Sequence, residues 1–210
     1  MIATKSSRHV GCHSVRRAAY FVAFALGALT LPVIRAQGSA VSFDPAQTNV
    51  GFSVGSTLHT VHGTFKLKSG QIQFDPTSGK ASGAIIVDAT TGNSDSEGRD
   101  KKMHQQVLES QKFPEIVFTP IAIKGTIAAH GTSQVELSGV LRLRGQDHDL
   151  AMPVAVEPAA GGQLHATTKF PVPYVKWGLK NPSNFFLKVD DTVDIEIDAT
   201  VLWTSNPVSH

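Results

Sequence analysis

Near the C-terminus, Val193, Ile195, Ile197, Ala199, Val201 and Trp203 alternate with Asp194, Glu196, Asp198 and Thr200. A second row, Val135, Leu137, Gly139, Leu141 and Leu143, alternates with Glu136, Ser138, Val140, Arg142 and Arg144. Successive side chains on a strand point to opposite faces. A period of two sustained this long therefore demands long strands with one dry face and one wet face. Shorter runs of the same kind fall at 50–54, 61–67, 71–74, 84–91, 116–124, 150–156 and 164–170. Turn-forming clusters separate them at 68–70, 75–80, 130–133, 144–147 and 158–162.

About eight or nine antiparallel strands with a single apolar face hide that face in a sandwich or by closing into a barrel. Closure removes exposed edges, and long strands favour it. The expected fold is all-β, closed into an antiparallel barrel of about eight strands. Such a barrel either fills with its own side chains or holds one slender ligand. Gly139, Ala89 and Ala199 stand among the larger apolar residues. Small inward residues leave room or mark bends, and periodicity does not choose between the two.

One stretch breaks the alternation. In SEGRDKKMHQQVLESQKFP (96–114), Met103, Val107 and Leu108 fall at helical spacing among good helix formers, with Pro114 beyond the end. This predicts one short α-helix inserted between two strands, with Ser96 capping its start. A second irregular piece, PYVKWGLKNPSNFF, gathers Tyr174, Trp177, Phe185 and Phe186 between prolines and glycine.

Residues 1–36 follow a different rule. Lys5, Arg8, Arg16, Arg17 and Arg35 occur with no acidic residue, and an apolar run of 17 residues spans 18–34. A basic start, an apolar middle and a small residue at Ala36 predict a secretory signal peptide over 1–36 and one domain over 37–210. A spanning helix wants roughly 20 apolar residues, so no transmembrane span is expected once the leader is gone. Without residues 1–36 the chain has 174 residues; Lys plus Arg falls from 19 to 14, Asp plus Glu stays at 17, and the formal net charge goes from +2 to −3. The basic balance belongs to the leader, so nucleic acid is not an expected partner. Cys12 also lies in the leader, so the exported domain has no thiol chemistry and no Cys-ligated metal.

Two motifs invite chemistry. HTVHGTF (59–65) places His59 and His62 three apart, but three residues along a strand point to opposite faces, and the composition around them is that of a strand. No HExxH and no carboxylate-flanked pair completes a metal site, so none is expected. GFSVG (51–55) matches the nucleophile elbow of serine hydrolases. That elbow needs a strand turning sharply into a helix, whereas Phe52 and Val54 continue an alternation and STLHTV follows. A hydrolase using Ser53 is the alternative reading, and a filled structural or interaction barrel is another.

FDPAQTNVGF (43–52), GTF and GQIQFDP (63–65, 70–76), GRDKKMHQQVLESQKFPEIVF (98–118), LSGVLRLRGQDHDLAMPV (137–154) and VKWGLKNPSNFFLKVDDTVDIEIDATV (175–201) follow one another from Phe43 to Val201. That order of segments resembles the YceI-like family of periplasmic lipid- or polyisoprenoid-binding proteins. The chain departs from that pattern where Pro171 and Pro173 stand near an expected Arg, and where Ser56 stands for a His. The resemblance implies an elongated lipocalin-like barrel that binds a long-chain isoprenoid or similar amphiphile without catalysis. It needs no cofactor beyond the bound lipid, a polyisoprenoid or isoprenoid quinone. The implied lining is Phe52, Val54, Phe65, Leu67, Ile85, Val87, Met103, Val107, Phe118, Leu137, Leu141, Trp177, Phe185, Phe186, Ile195 and Ile197, with His59 and Arg99 as head-group contacts. The implied location is the periplasm, and self-association as a dimer stays open.

Overall fold

A computed structural model describes residues 38–205. The leader expected at 1–36 lies outside the described residues. Eight strands close into one antiparallel barrel in chain order: β1 (Ser39–Val54), β2 (Val61–Phe74), β3 (Ala81–Asn93), β4 (Glu115–Lys124), β5 (Ser133–Leu143), β6 (Gln146–Pro158), β7 (Gln163–Val172) and β8 (Val193–Ser205). The barrel closes where β1 pairs with β8, from Ser39↔Ser205 to Ser53↔Asp194. The all-β barrel expected from the alternation is the fold observed.

Two strands run further than their alternation announces. The KSG cluster at 68–70 is no turn: β2 continues through it to Phe74, and the pairing with β3 slips between Leu67 and Ser69. One extra residue is absorbed as a bulge. Gly70 is there for close approach, since a Cβ would come within 2.9 Å of the Phe43 ring. Strand β1 likewise begins at Ser39 and passes through an irregular stretch between Phe43 and Thr48, where the Asp44 carboxylate accepts the Ala46 N–H at 2.9 Å. At β4 the buried Pro120 sits at another register slip, beside Ala122. Proline has no ladder donor, and a slip is where a sheet tolerates it.

The expected insertion is a short α-helix, α1 (Glu97–Lys102), continued by a wider turn over Met103–Val107. Ser96 holds the N-cap position, but its side chain makes no capping bond. The backbone carbonyl of Ser96 accepts the Arg99 and Asp100 N–H groups instead, at 3.0 and 2.9 Å. The side chain that closes this end is Asp100, whose carboxylate accepts the Ser94 N–H at 2.9 Å and its hydroxyl at 2.5 Å.

Two seams are short. β3 pairs with β4 only from Ile85↔Phe118 to Asp88↔Glu115, and β6 with β7 only from Ala155↔Thr167 to Pro158↔Leu164. Above them the wall would gape, and the two irregular segments cover the gaps. His104 reaches the Gly92 carbonyl on β3 at 2.9 Å, and Glu109 pairs with Arg144 at the β5–β6 turn. On the other side, Trp177 stacks on His148 of β6, ring centroids 4.3 Å apart and 4° from parallel. Pro171 does not interrupt β7, which keeps its pairing with β8 through Val172↔Val193. It sits above the short seam, where β6 demands no partner.

Candidate functional site

The inward face of the barrel does two different things along its length. At the end holding the 75–80, 125–132 and 159–162 turns, Val135, Val156, Leu164, Ala199 and Val201 pack into one buried cluster, with Ile123 and Trp203 against it. This is a floor. Above it a cavity of about 270 Å³ opens among residues of every strand and both covering segments.

Parity puts the wall together. On β1, Val50, Phe52 and Val54 face in; on β2, Val61, Phe65 and Leu67; on β8, Val193, Ile195, Ile197 and Ala199. Of the residues implied by the resemblance, Phe52, Val54, Phe65, Leu67, Ile85, Val87, Met103, Val107, Phe118, Leu137, Leu141, Ile195, Ile197 and Arg99 line this cavity. Four stand elsewhere. Trp177 lies outside the lining, held in its stack on His148. Phe185 and Phe186 project into solvent, 90% and 88% exposed. The His59 ring is exposed in the loop after β1, where its carbonyl accepts the Ser56 hydroxyl at 2.6 Å.

Sequence reasoning missed part of the wall. Leu150, Met152 and Val154 on β6 and Phe170 and Val172 on β7 line the cavity too, and strand parity would have found them. Tyr174, Leu179, Pro182 and Val189 also reach it from the segment between β7 and β8. No periodicity marks those four. Gly139, which shares the inward parity of Leu137 and Leu141, is not on the lining. A Cβ there would meet the Thr119 carbonyl at 2.3 Å, so it marks close approach at the Pro120 slip rather than spare room.

Polar side chains on the lining are few. Arg99 and Lys102 bring the two charges, both from α1. The Arg99 guanidinium donates to the buried Ser94, Nε to the hydroxyl at 2.7 Å and Nη2 to the carbonyl at 2.6 Å. That pins its fork at the end of the cavity opposite the floor. Tyr174 donates its hydroxyl to the Asp190 carbonyl at 2.7 Å. Burial, with the Asp191 and Asp190 carboxylates nearby, pushes its phenol up to about 12.

The two suspect motifs resolve geometrically. In HTVHGTF, Val61 and Phe65 line the cavity while His62 is exposed on the outer face of β2. Among the described residues no three His, Cys, Asp or Glu side chains gather as a metal site. In GFSVG, Ser53 lies within β1, paired with His62 on one side and Asp194 on the other. Serine is the middle member of that row, so the histidine cannot bridge it to the carboxylate as a triad requires. The strand is followed by an isolated bridge at Ser56 rather than a helix, so no elbow forms.

A closed eight-stranded barrel with a packed floor and an apolar chamber above it defines a small-molecule-binding class of fold. Within that class the chain belongs to the YceI-like domain family, which residues 42–201 match. It is similar to the crystal structure of Burkholderia cenocepacia BcnA, at 17% identity and a TM-score of 0.62, over 75% of this chain and 98% of that one. It is also similar to a polyisoprenoid binding domain from Saccharophagus degradans implicated in plant cell wall breakdown, at 14% identity and a TM-score of 0.59, over 77% and 97%. The Campylobacter jejuni YceI protein aligns over 94% of this chain and 99% of its own, at 14% identity and a TM-score of 0.50. At these identities the likeness establishes the barrel. No curated protein matches the chain.

Proposed function

We propose that this protein is an exported, non-catalytic carrier that holds the apolar tail of a long-chain isoprenoid or similar amphiphilic lipid in the upper barrel. The observation that carries the reading is the apolar chamber of about 270 Å³ whose two charged lining residues, Arg99 and Lys102, come from α1 at one end. A dry engineered cavity of roughly 150 Å³ takes one benzene. This chamber therefore has room for about two isoprene units by the same scale. Burying one five-carbon unit is worth roughly 3–4 kcal/mol before ordering costs, so tail burial alone suffices for useful affinity. The tail enters first, and the head group and remaining units stay at the mouth, beside Arg99 and Lys102. The family match and the polyisoprenoid-binding neighbour support this ligand class. The placement of Ser53 inside a strand favours binding over hydrolysis.

Export rests on the pattern of residues 1–36, and the periplasm is its natural destination. N-terminal sequencing of the exported protein is expected to begin near Gln37, and a retained Met1 would contradict export with cleavage. Native mass spectrometry with organic extraction tests the cargo. The expected result is a bound species that releases an isoprenoid or other long-chain lipid. A protein that emerges empty, and that never takes up a fluorescent polyprenyl or fatty-acyl probe, is a scaffold instead.

A further inference from the structure

Five large apolar side chains are strongly exposed among the described residues: Leu58, Ile121, Phe185, Phe186 and Leu202. Ile121 and Leu202 stand singly on β4 and β8, which is ordinary for any protein surface. The other three share the mouth end of the barrel. Phe185 and Phe186 are adjacent, with ring centroids 5.2 Å apart in an edge-on pair. Leu58 belongs to the adjoining loop, which the Thr57 N–H joins to the Lys188 carbonyl at 3.0 Å and the Asp190 N–H joins through the Gly55 carbonyl at 2.9 Å.

The two rings are held out by a built loop. The Asn184 side-chain oxygen accepts the Phe186 and Leu187 N–H groups at 2.9 and 2.8 Å. Across the neck, Asn181 donates to the Val189 carbonyl at 2.9 Å, and the Val189 N–H donates to the Ser183 hydroxyl at 2.8 Å. Pro182 and Val189 of the same loop line the chamber. The tip thus continues directly from the cavity wall. Lys180 and Lys188 flank it, and the chain from 176 to 188 contains no carboxylate. The nearest acids in sequence, Asp190 and Asp191, sit at the returning base of the loop, where Asp191 is engaged by Asn181 at 2.7 Å.

We infer that this tip is a membrane-docking surface: Phe185 and Phe186, assisted by Leu58, enter the lipid interface while Lys180 and Lys188 meet anionic head groups. Aromatic rings on one side and lysines around them are the chemistry of interfacial anchoring. A stable protein partner would need roughly 800 Å² from each side, far more than three side chains on a narrow loop supply. Docking there sets the chamber mouth against the source of its cargo. The inference rests on the carrier reading for its purpose, but its test does not depend on that reading.

The test is co-sedimentation of the purified protein with phosphatidylcholine vesicles, with and without phosphatidylglycerol. Wild type is expected to partition onto the vesicles, more strongly with phosphatidylglycerol and less in high salt. The double variant Phe185→Ser/Phe186→Ser should lower partitioning roughly 100-fold. Lys180→Gln/Lys188→Gln should lower it roughly 10-fold on anionic vesicles alone. Both pairs are surface changes, so the fold survives; circular dichroism checks this. Uptake of a fatty-acyl probe from vesicle-free solution should be unchanged in both. If vesicle binding depends on the two rings but no probe is taken up, docking stands and the carrier reading falls. If probe uptake is intact but wild type ignores vesicles, or the double serine variant binds them equally, docking is overturned. A protein ligand lost by the serine variant, with no vesicle binding by wild type, overturns it as well.

Discussion

The two ends of this barrel are built from the same eight strands and the same alternation, yet one end is solid and the other hollow. At the floor, Val135, Val156, Leu164 and Val201 meet across the axis and turns of modest length close the strands. At the mouth, the β6–β7 seam ends early and β3 runs past the start of β4. The gaps are bridged by α1 with its following turn and by the segment between β7 and β8. The lesson is that period two decides which side chains face inward but not whether they touch. Seam length and covering segments decide that.

The contrast can be broken by substitution. Leu164→Ala removes a fully packed floor residue and is expected to cost about 2–5 kcal/mol, while Ile195→Ala on the chamber wall should cost clearly less, because its neighbours already leave a void. Denaturant unfolding of both measures the difference. Equal losses would mean the chamber is as densely packed as the floor. Gly139→Ala and Ala166→Phe sharpen the same point. At Gly139 even a Cβ runs into the Thr119 backbone, so overpacking should cost about 1–3 kcal/mol. Ala166 lines the chamber above its floor neighbours Val156 and Ala199, so a phenyl ring there should cost no more stability than Gly139→Ala yet abolish uptake of a polyprenyl or fatty-acyl probe. A probe that still binds Ala166→Phe normally is not in this chamber.

Tyr174 sharpens the comparison at the mouth. Its phenol ionises at about 12, above the ordinary value of 10.0, because burial and then Asp191 and Asp190 disfavour the phenolate. The neutral form favours folding, so this contribution is complete below pH 10. It declines as the unfolded chain ionises from about pH 10, and is gone above about 12. Ultraviolet titration of tyrosinate should show the late ionisation, and Tyr174→Phe should flatten that part of the stability profile. Ionisation near pH 10 would mean the covering segment does not bury the ring. The smallest effect is expected at Ser53. As a mid-strand residue, Ser53→Ala should change stability by no more than about 0.5 kcal/mol, and leave any esterase signal at background. Strong wild-type hydrolysis abolished by Ser53→Ala would revive the hydrolase.

What was legible in the sequence follows from the same physics. Strand existence and facing could be read wherever alternation was unbroken, as at 193–203, while most wall residues from Phe52 to Ile197 came from the family resemblance. Bulges hid the full length of β1 and β2. At Lys68-Ser69-Gly70 a cluster with turn composition sits inside a strand because Phe43 packs over the glycine. The segment from 173 to 192 carries no period at all, so nothing distinguished Tyr174 and Val189, which point into the chamber, from Phe185 and Phe186, which point away. The family resemblance put Phe185 and Phe186 on the lining. Their hydrogen-bonded loop decided otherwise.

The most direct test of a hollow mouth above a solid floor is a methyl-resolved nuclear Overhauser experiment on the protein with a bound isoprenoid or fatty-acyl chain. Contacts are expected from the chain to the methyls of Leu141, Ile195 and Val54, which line the chamber, and none to those of Val135, Leu164 and Val201. Contacts to the floor methyls, or none to the wall, would contradict that arrangement.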